Sequence, residues 1–296
     1  FLSFQGKEKQ TVMKIFQQAL SKAKEEGKID SKIIPWEESI SEAEDTVDLK
    51  KEASNIPFQL SKFSNEVLND FQRVIENIRS LVTKKDSRVI GIAGVVPEQG
   101  SSTVTALLSL ITAGKEDGYF ESILSEETGT IQKKGNVSSH NHRVLLIDTQ
   151  VRNPSLHRMF EIEVEGGLSE LLYNELPLDD VVREIESSYL QLITSGEKND
   201  FRYTQAHLDK LKSIVDSVKS RYEFVFLDIP PILSFAEGIA ISRLCDGVIL
   251  VVSAGKTRLE VIQEAKRSLE MANIPLLGAV LNRRKYYIPE WIYKRL

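Results

Sequence analysis

Three short stretches of the chain hold residues whose types and order suit phosphate chemistry. The first is Val89-Ile-Gly-Ile-Ala-Gly-Val-Val-Pro-Glu-Gln-Gly-Ser-Ser-Thr103, which reads as a strand, a loop and the start of a helix. Backbone N–H groups at such a helix start can cradle phosphate oxygens. A lysine then reaches the β- and γ-phosphates, and the next hydroxyl binds Mg²⁺. Gly100 stands where the loop needs a glycine, and Ser102 and Thr103 supply hydroxyls. The lysine position, however, is Ser101, and Glu98 puts a carboxylate where a glycine is expected. The other two stretches are Arg143-Val-Leu-Leu-Ile-Asp148 and Glu223-Phe-Val-Phe-Leu-Asp228, apolar strands that each end in a carboxylate. In a parallel sheet both aspartates emerge at the carboxyl edge, where ligands bind. Two carboxylates beside a phosphate loop suit Mg²⁺ coordination or activation of a hydroxyl. Each element alone has a plainer explanation: a serine N-cap for the loop, an aspartate capping the following helix for each strand. The three in this order are far more specific.

The elements that must position these residues follow from hydrophobic periodicity. Short apolar runs predict strands at Val89–Ala93, Arg143–Asp148, Leu190–Thr194, Glu223–Asp228, Gly247–Ser253 and Leu277–Asn282. Helices are predicted over Ser101–Ala113, Gln205–Arg221, Ala236–Leu244 and Thr257–Ala272. Near-continuous apolar strands suit a parallel sheet covered on both faces. The predicted class is therefore α/β: a doubly wound, mostly parallel sheet with helices on both faces, preceded by N-terminal helices. Those preceding helices are an amphipathic one over residues 11 to 27 and a longer one from Leu60 to Val82, whose apolar stripe is Leu60, Phe63, Val67, Phe71, Val74, Ile78 and Leu81. The acidic stretch from Lys28 to Pro57 reads as a linker. This divides the chain into residues 1–57, a helix and linker, and 58–296, the nucleotide-fold domain. Residues 114–142, polar and without periodicity, read as a mobile insertion. Its His140 and His142, with no third ligand in view, read as loop residues rather than metal ligands.

Composition excludes several other roles. The 296 residues are 41% hydrophobic and 27% charged, with net charge −5 and a pI near 5.6. That balance does not favour broad electrostatic binding of nucleic acid. Cys245 is the sole cysteine, so no intrachain disulfide can form, which fits a reducing cytoplasm. No apolar run reaches the roughly 18–20 residues of a membrane span, and no signal-peptide pattern is present. The chain starts with Phe1, which leaves room for an upstream segment.

With these residues in view, the chain resembles the bacterial tyrosine autokinases of capsule and exopolysaccharide synthesis, the BY-kinases, whose relatives include the ParA/MinD-type ATPases. The resemblance covers roughly residues 58 to 285. Its strongest stretch is Val144-Leu-Leu-Ile-Asp-Thr-Gln-Val-Arg-Asn-Pro-Ser-Leu-His157, which looks like the family's Walker A′ motif. Phe160 and Gly167-Leu-Ser-Glu-Leu-Leu172 continue it. Phe226-Leu-Asp-Ile-Pro-Pro-Ile-Leu233 resembles the Walker B segment, and Asp246–Arg258 and Gly278–Asn282 match the late strands and their loops. The family's fold is the P-loop NTPase type.

The resemblance implies roles for named residues. Asp148 would activate the tyrosine hydroxyl or bind Mg²⁺, with Arg152 and Asp228 completing the catalytic set. Asp228 and Ser102 would support the metal. Gly100, Ser101, Ser102 and Thr103 would form the phosphate loop, and Asn282 would contact the base. The implied cofactors are ATP or ADP with Mg²⁺. The implied partner is a membrane polysaccharide co-polymerase or export protein, or an active kinase paralogue or a second copy of the chain; nucleic acid is not implied. The implied place is cytoplasmic, at the inner face of the membrane.

The departures are equally specific. The P-loop lysine is Ser101 and the second Walker A′ aspartate is Gln150. The oligomerisation motif Glu-x-x-Arg-x-x-Arg falls on Asn69, Gln72 and Ile75, and a proline-rich segment is replaced by Gly196-Glu-Lys-Asn-Asp-Phe201. These losses favour a degenerate, pseudokinase-like regulator or scaffold. The alternatives are an active autokinase with a substitute cation, from Lys256 or the lysines between Lys115 and Lys134, and, third, a ParA/MinD-like ATPase. The C-terminal stretch Arg283–Leu296 has three readings. By resemblance Tyr286, Tyr287 and Tyr293 are phosphoacceptors. Alternatively Trp291, Ile292 and Tyr293 make peripheral membrane contact while Arg283, Arg284 and Lys285 meet anionic lipid. The shortness of the segment favours the third, a final helix packed on the sheet with Pro289 in its first turn.

Overall fold

The computed structural model describes residues 2–3, 63–82, 88–114, 143–173, 175–185, 189–197 and 201–283. Contacts divide the chain into one compact unit from Phe58 to Leu296 and another over Leu2–Pro57. Of the latter only Leu2–Ser3, a two-residue strand, is described. The helix expected over 11–27, the acidic linker, residues 115–142 of the insertion and the C-terminal tyrosines lie outside the described residues.

The larger unit starts with α1 (Asn65–Leu81), capped by Ser64, whose side chain accepts from the Val67 N–H at 3.5 Å. There follow β1 (Arg88–Gly94), α2 (Ser101–Thr112), β2 (Val144–Asp148), and three short helices, α3 (Leu156–Met159), α4 (Leu168–Leu172) and α5 (Leu178–Val181). Then come β3 (Val182–Glu184), β4 (Leu190–Ile193), α6 (Gln205–Val218), β5 (Phe224–Ile229), α7 (Ala236–Ser242), β6 (Gly247–Ser253), α8 (Leu259–Met271) and β7 (Leu276–Asn282). Within this unit the strands lie in the order β7-β6-β1-β5-β2-β4-β3. All pairings are parallel except the edge pair β3–β4. This is the doubly wound α/β P-loop architecture expected.

The strands are apolar along their whole length because both faces are covered, so successive side chains enter different cores. On one face Ile90, Ile92, Leu146, Phe224 and Phe226 meet α1 and α2. On the other Val89, Leu145, Val225, Leu227 and Leu250 meet α4, α6 and α8. The central strand β1 sits between β5 and β6. Its continuation therefore leaves the sheet where strand order reverses, the place at which such sheets bind ligands. In register, Asp148 at the end of β2 is the direct partner of Asp228 in β5.

Three expectations need correction. The apolar stripe of α1 is shifted at one edge: Phe71, Val74 and Ile78 are buried as expected, but Leu68 and Ile75 join them while Val67 is 36% exposed. Both edges share the helical spacing, and only packing against the sheet chooses between them. Ile75, where the resemblance would place an arginine, packs in the core, and Asn69 and Gln72 are exposed. The antiparallel edge β3 and the three short helices were not expected, since three to five residues carry too little periodicity. Helix α6 ends at Val218 rather than Arg221, and α8 starts at Leu259 rather than Thr257.

Candidate functional site

The loop from Gly94 to α2 has a backbone shaped for anions. Glu98 (φ 63°) and Gly100 (φ 79°) are both left-handed, and such alternation turns successive N–H groups into one concavity. Among the described residues none of the backbone N–H groups from Glu98 to Thr103 donates to a protein acceptor. Helix α2 adds the positive end of its dipole. Glu98 adopts the left-handed conformation where a glycine was expected, so the backbone path is retained despite the side chain.

Neighbouring strands hold the loop. Gln99 Oε1 accepts from the Ser253 N–H at 2.6 Å and from Thr257 Oγ1 at 2.7 Å, which ties the loop to the end of β6. Asn282 Nδ2 donates to the Gln99 carbonyl at 2.9 Å, and Arg283 Nη1 to the Glu98 carbonyl at 3.0 Å. Asn282, implied as a base contact, thus supports the loop from the end of β7. Gln99 was not singled out from sequence, and Arg283 was named there only as a contact for anionic lipid. Nothing in a lone glutamine or in a cation past a strand end signals a contact across more than 150 residues.

The carboxylates are fully buried, with Asp148 and Asp228 both at 0% exposure. Asp148 Oδ1 accepts from the Gln150 N–H at 3.0 Å. Asp228 Oδ1 accepts from Gln150 Nε2 at 2.8 Å and from Thr105 Oγ1 at 3.4 Å. Each Oδ2 is buried without a hydrogen-bond partner. Burial raises Asp148 to about 6, with the Gln150 amide pulling it back. Burial and then the adjacent Asp148 raise Asp228 further, to about 8, against hydrogen bonds from Ser102, Gln150 and Thr105. Tyr203 donates from its hydroxyl to the Thr149 carbonyl at 3.1 Å, and burial pushes its phenol well up.

Ser101 is 8% exposed, its Oγ 3.5 Å from Gln150 Nε2. Ser102 Oγ lies 3.1 Å from the same nitrogen. Thr103 is half-buried on the first turn of α2. Loop, β2 end and β5 carboxylate therefore converge on the Gln150 amide. Arg152 is directed elsewhere: its Nε donates to Glu237 Oε1 at 2.7 Å, and its guanidinium lies over the Phe235 ring at 5.1 Å. Lys256 is exposed. Tyr286, Tyr287 and Tyr293 lie outside the described residues.

The backbone of residues 98–103 fits phosphate oxygens. A divalent cation at Ser102 and Asp228 fits poorly, because the Gln150 side-chain –NH₂ lies within hydrogen-bond reach of both oxygens.

Against known proteins, a family model described as an AAA domain matches residues 127–272. That span includes both carboxylates but begins after the phosphate loop. The tyrosine-protein kinase ptk of Acinetobacter johnsonii is 24% identical over 246 residues, covering 81% of this chain and 29% of that protein. The tyrosine-protein kinase YwqD of Bacillus subtilis (strain 168) is 26% identical over 215 residues, covering 73% of this chain and 80% of that one. Among solved structures, the kinase domain of the Escherichia coli tyrosine kinase ETK superposes with TM-score 0.59 at 19% identity, covering 79% of this chain and 84% of that one. The BceF tyrosine kinase domain gives 0.58 at 24% identity, over 78% and 84%. The chain is similar to bacterial tyrosine-protein kinases over most of its length. The structural likeness carries the fold. The chain spans under a third of the length of the Acinetobacter relative. Among the described residues no helix is long and apolar enough to cross a membrane.

Proposed function

We propose that the chain is a degenerate bacterial tyrosine-kinase-like protein of capsule or exopolysaccharide synthesis, with weak or no phosphoryl transfer. It acts mainly as a regulator or scaffold for a membrane polysaccharide co-polymerase. The observation that carries this reading is the buried Ser101 at the lysine position, its hydroxyl facing the Gln150 amide. Phosphoryl transfer depends on positioned charge that neutralises the transferring group. Loss of one such preorganised donor costs about 2.7–4 kcal/mol, or roughly 10²–10³ in rate. The open backbone concavity supports binding of ATP or ADP phosphates without fast transfer. Support for the partner class comes from the resemblance and from relatives named as tyrosine-protein kinases.

The test is tyrosine labelling of the purified chain in ATP and Mg²⁺, with anti-phosphotyrosine detection beside a family kinase that has its lysine. The expected signal is at background. Robust autophosphorylation overturns the reading.

A second reading, an active kinase with a substitute cation, is favoured by one contact, Arg283 Nη1 on the Glu98 carbonyl. In that case Arg283→Ala abolishes labelling and Lys256→Ala does not.

A further inference from the structure

We infer that the side-chain amide of Gln150 takes the place of a divalent cation between the phosphate loop and the β5 carboxylate, so that this site closes without metal. Ser102 Oγ and Asp228 Oδ1 come from different elements, α2 and β5, and Ser102 also hydrogen-bonds the Asp228 carboxyl group. Gln150 Nε2 lies 3.1 Å from the first and 2.8 Å from the second. Its two hydrogens supply one donor to each oxygen, and a third contact at 3.5 Å reaches Ser101 Oγ. The nitrogen end of the amide faces both oxygens.

The side chain is also held at its root. The Gln150 backbone N–H donates to Asp148 Oδ1 at 3.0 Å, so one residue bonds both strand carboxylates. Mg²⁺ demands near-octahedral oxygen ligands at about 2.0–2.1 Å and gives up its waters reluctantly. To bridge Ser102 and Asp228 it would have to expel the amide and leave both Gln150 donors without those acceptors at a half-buried position. An ionised carboxylate at position 150 would offer only acceptors to these oxygens, whereas the glutamine donates to both by itself.

The competing place for an ion is the pair Asp148 Oδ2 and Asp228 Oδ2, which lack hydrogen-bond partners. The test uses Mn²⁺ alone as the probe, followed by electron paramagnetic resonance on the full chain. The wild-type chain is expected to show no specific site, and EDTA and excess Mg²⁺ are expected to give the same melting temperature. Gln150→Asp is expected to gain a site that binds Mn²⁺ at least about tenfold more tightly than wild type, a typical size for tuning a metal site. A wild-type Mn²⁺ site that Asp228→Asn abolishes overturns the inference. So does a folded Gln150→Asp chain, with wild-type circular dichroism, that gains nothing. The wild-type measurement stands even where the variant fails to fold. The inference rests on the phosphate-site reading above but not on the loss of phosphoryl transfer. Tyrosine labelling without a wild-type Mn²⁺ site overturns the regulator alone; a Mn²⁺ site without labelling overturns the amide bridge alone.

Discussion

Gly100 and Asn282 offer the sharpest check on how the loop is held. Gly100 is left-handed at φ 79°, and a Cβ added there would overlap Asn282 Nδ2. An alanine in this conformation costs about 1–2 kcal/mol from backbone strain. Making room for it pushes aside an asparagine that donates to the Gln99 carbonyl at 2.9 Å and accepts from the Arg283 N–H at 2.8 Å. Losing one such bond costs about 1 kcal/mol net. Gly100→Ala should therefore destabilise by about 2–3 kcal/mol, which lowers the melting temperature of a domain this size by about 4–12 °C. Asn282→Ala removes the overlapping atom and the same bonds. In that background Gly100→Ala should cost only the backbone strain, leaving a coupling of about 1 kcal/mol in a double-mutant cycle. The assay is urea unfolding followed by circular dichroism on all four proteins. A neutral Gly100→Ala refutes the left-handed assignment; strictly additive effects refute the Asn282 contact.

Two further outcomes follow from the same site. Burial holds Asp148 at about 6 and Asp228 at about 8 against an ordinary 3.8, so the folded chain keeps protons that the unfolded chain releases. The resulting stability is full below about pH 4 and is lost as pH rises through the two folded values. Urea midpoints in EDTA should fall between about pH 5 and about pH 9, and Asp228→Asn, fixed in the neutral shape, should flatten the upper limb; midpoints that rise over this range contradict it. At Gly167 a Cβ would overlap the backbone N of Gly196 and lie 2.5 Å from Thr194 Oγ1. Backbone cannot yield as a side chain does, so Gly167→Ala should displace α4 and destabilise by more than about 2 kcal/mol. A melting temperature within error of wild type would count against that packing.

The parts legible in sequence were those with a repeating physical cause. A sheet covered on both faces demands unbroken apolar strands, and β6 was bounded at Gly247–Ser253 as observed. The carboxylates were legible because they interrupt such runs at the strand ends. What stayed hidden were contacts with no local signature. Gln150 read as a missing aspartate, and only its position between Ser102 and Asp228 reveals a donor with two acceptors. Arg152 matched a motif, yet Glu237, 85 residues later, draws it to α7. The edge of the α1 stripe was invisible because Val67 and Leu68 are both apolar, and only the sheet distinguishes them.

The anchoring of Gln99 and Glu98 by Asn282 and Arg283 spans 183 and 185 residues. The earliest nucleotide-fold motif is thus completed by the last strand of the sheet. Domains form largely from the N-terminus as a chain is synthesised, so β1 and α2 emerge long before β7 exists to brace the loop between them. Until then the loop is tied only through Gln99 to Ser253 and Thr257 at the end of β6. A ribosome-bound chain cut off before Asn282 should carry most of the sheet and an anion concavity braced from one strand alone. Full bracing of the phosphate loop would then come only in a late step, a safeguard against half-made chains occupying nucleotide.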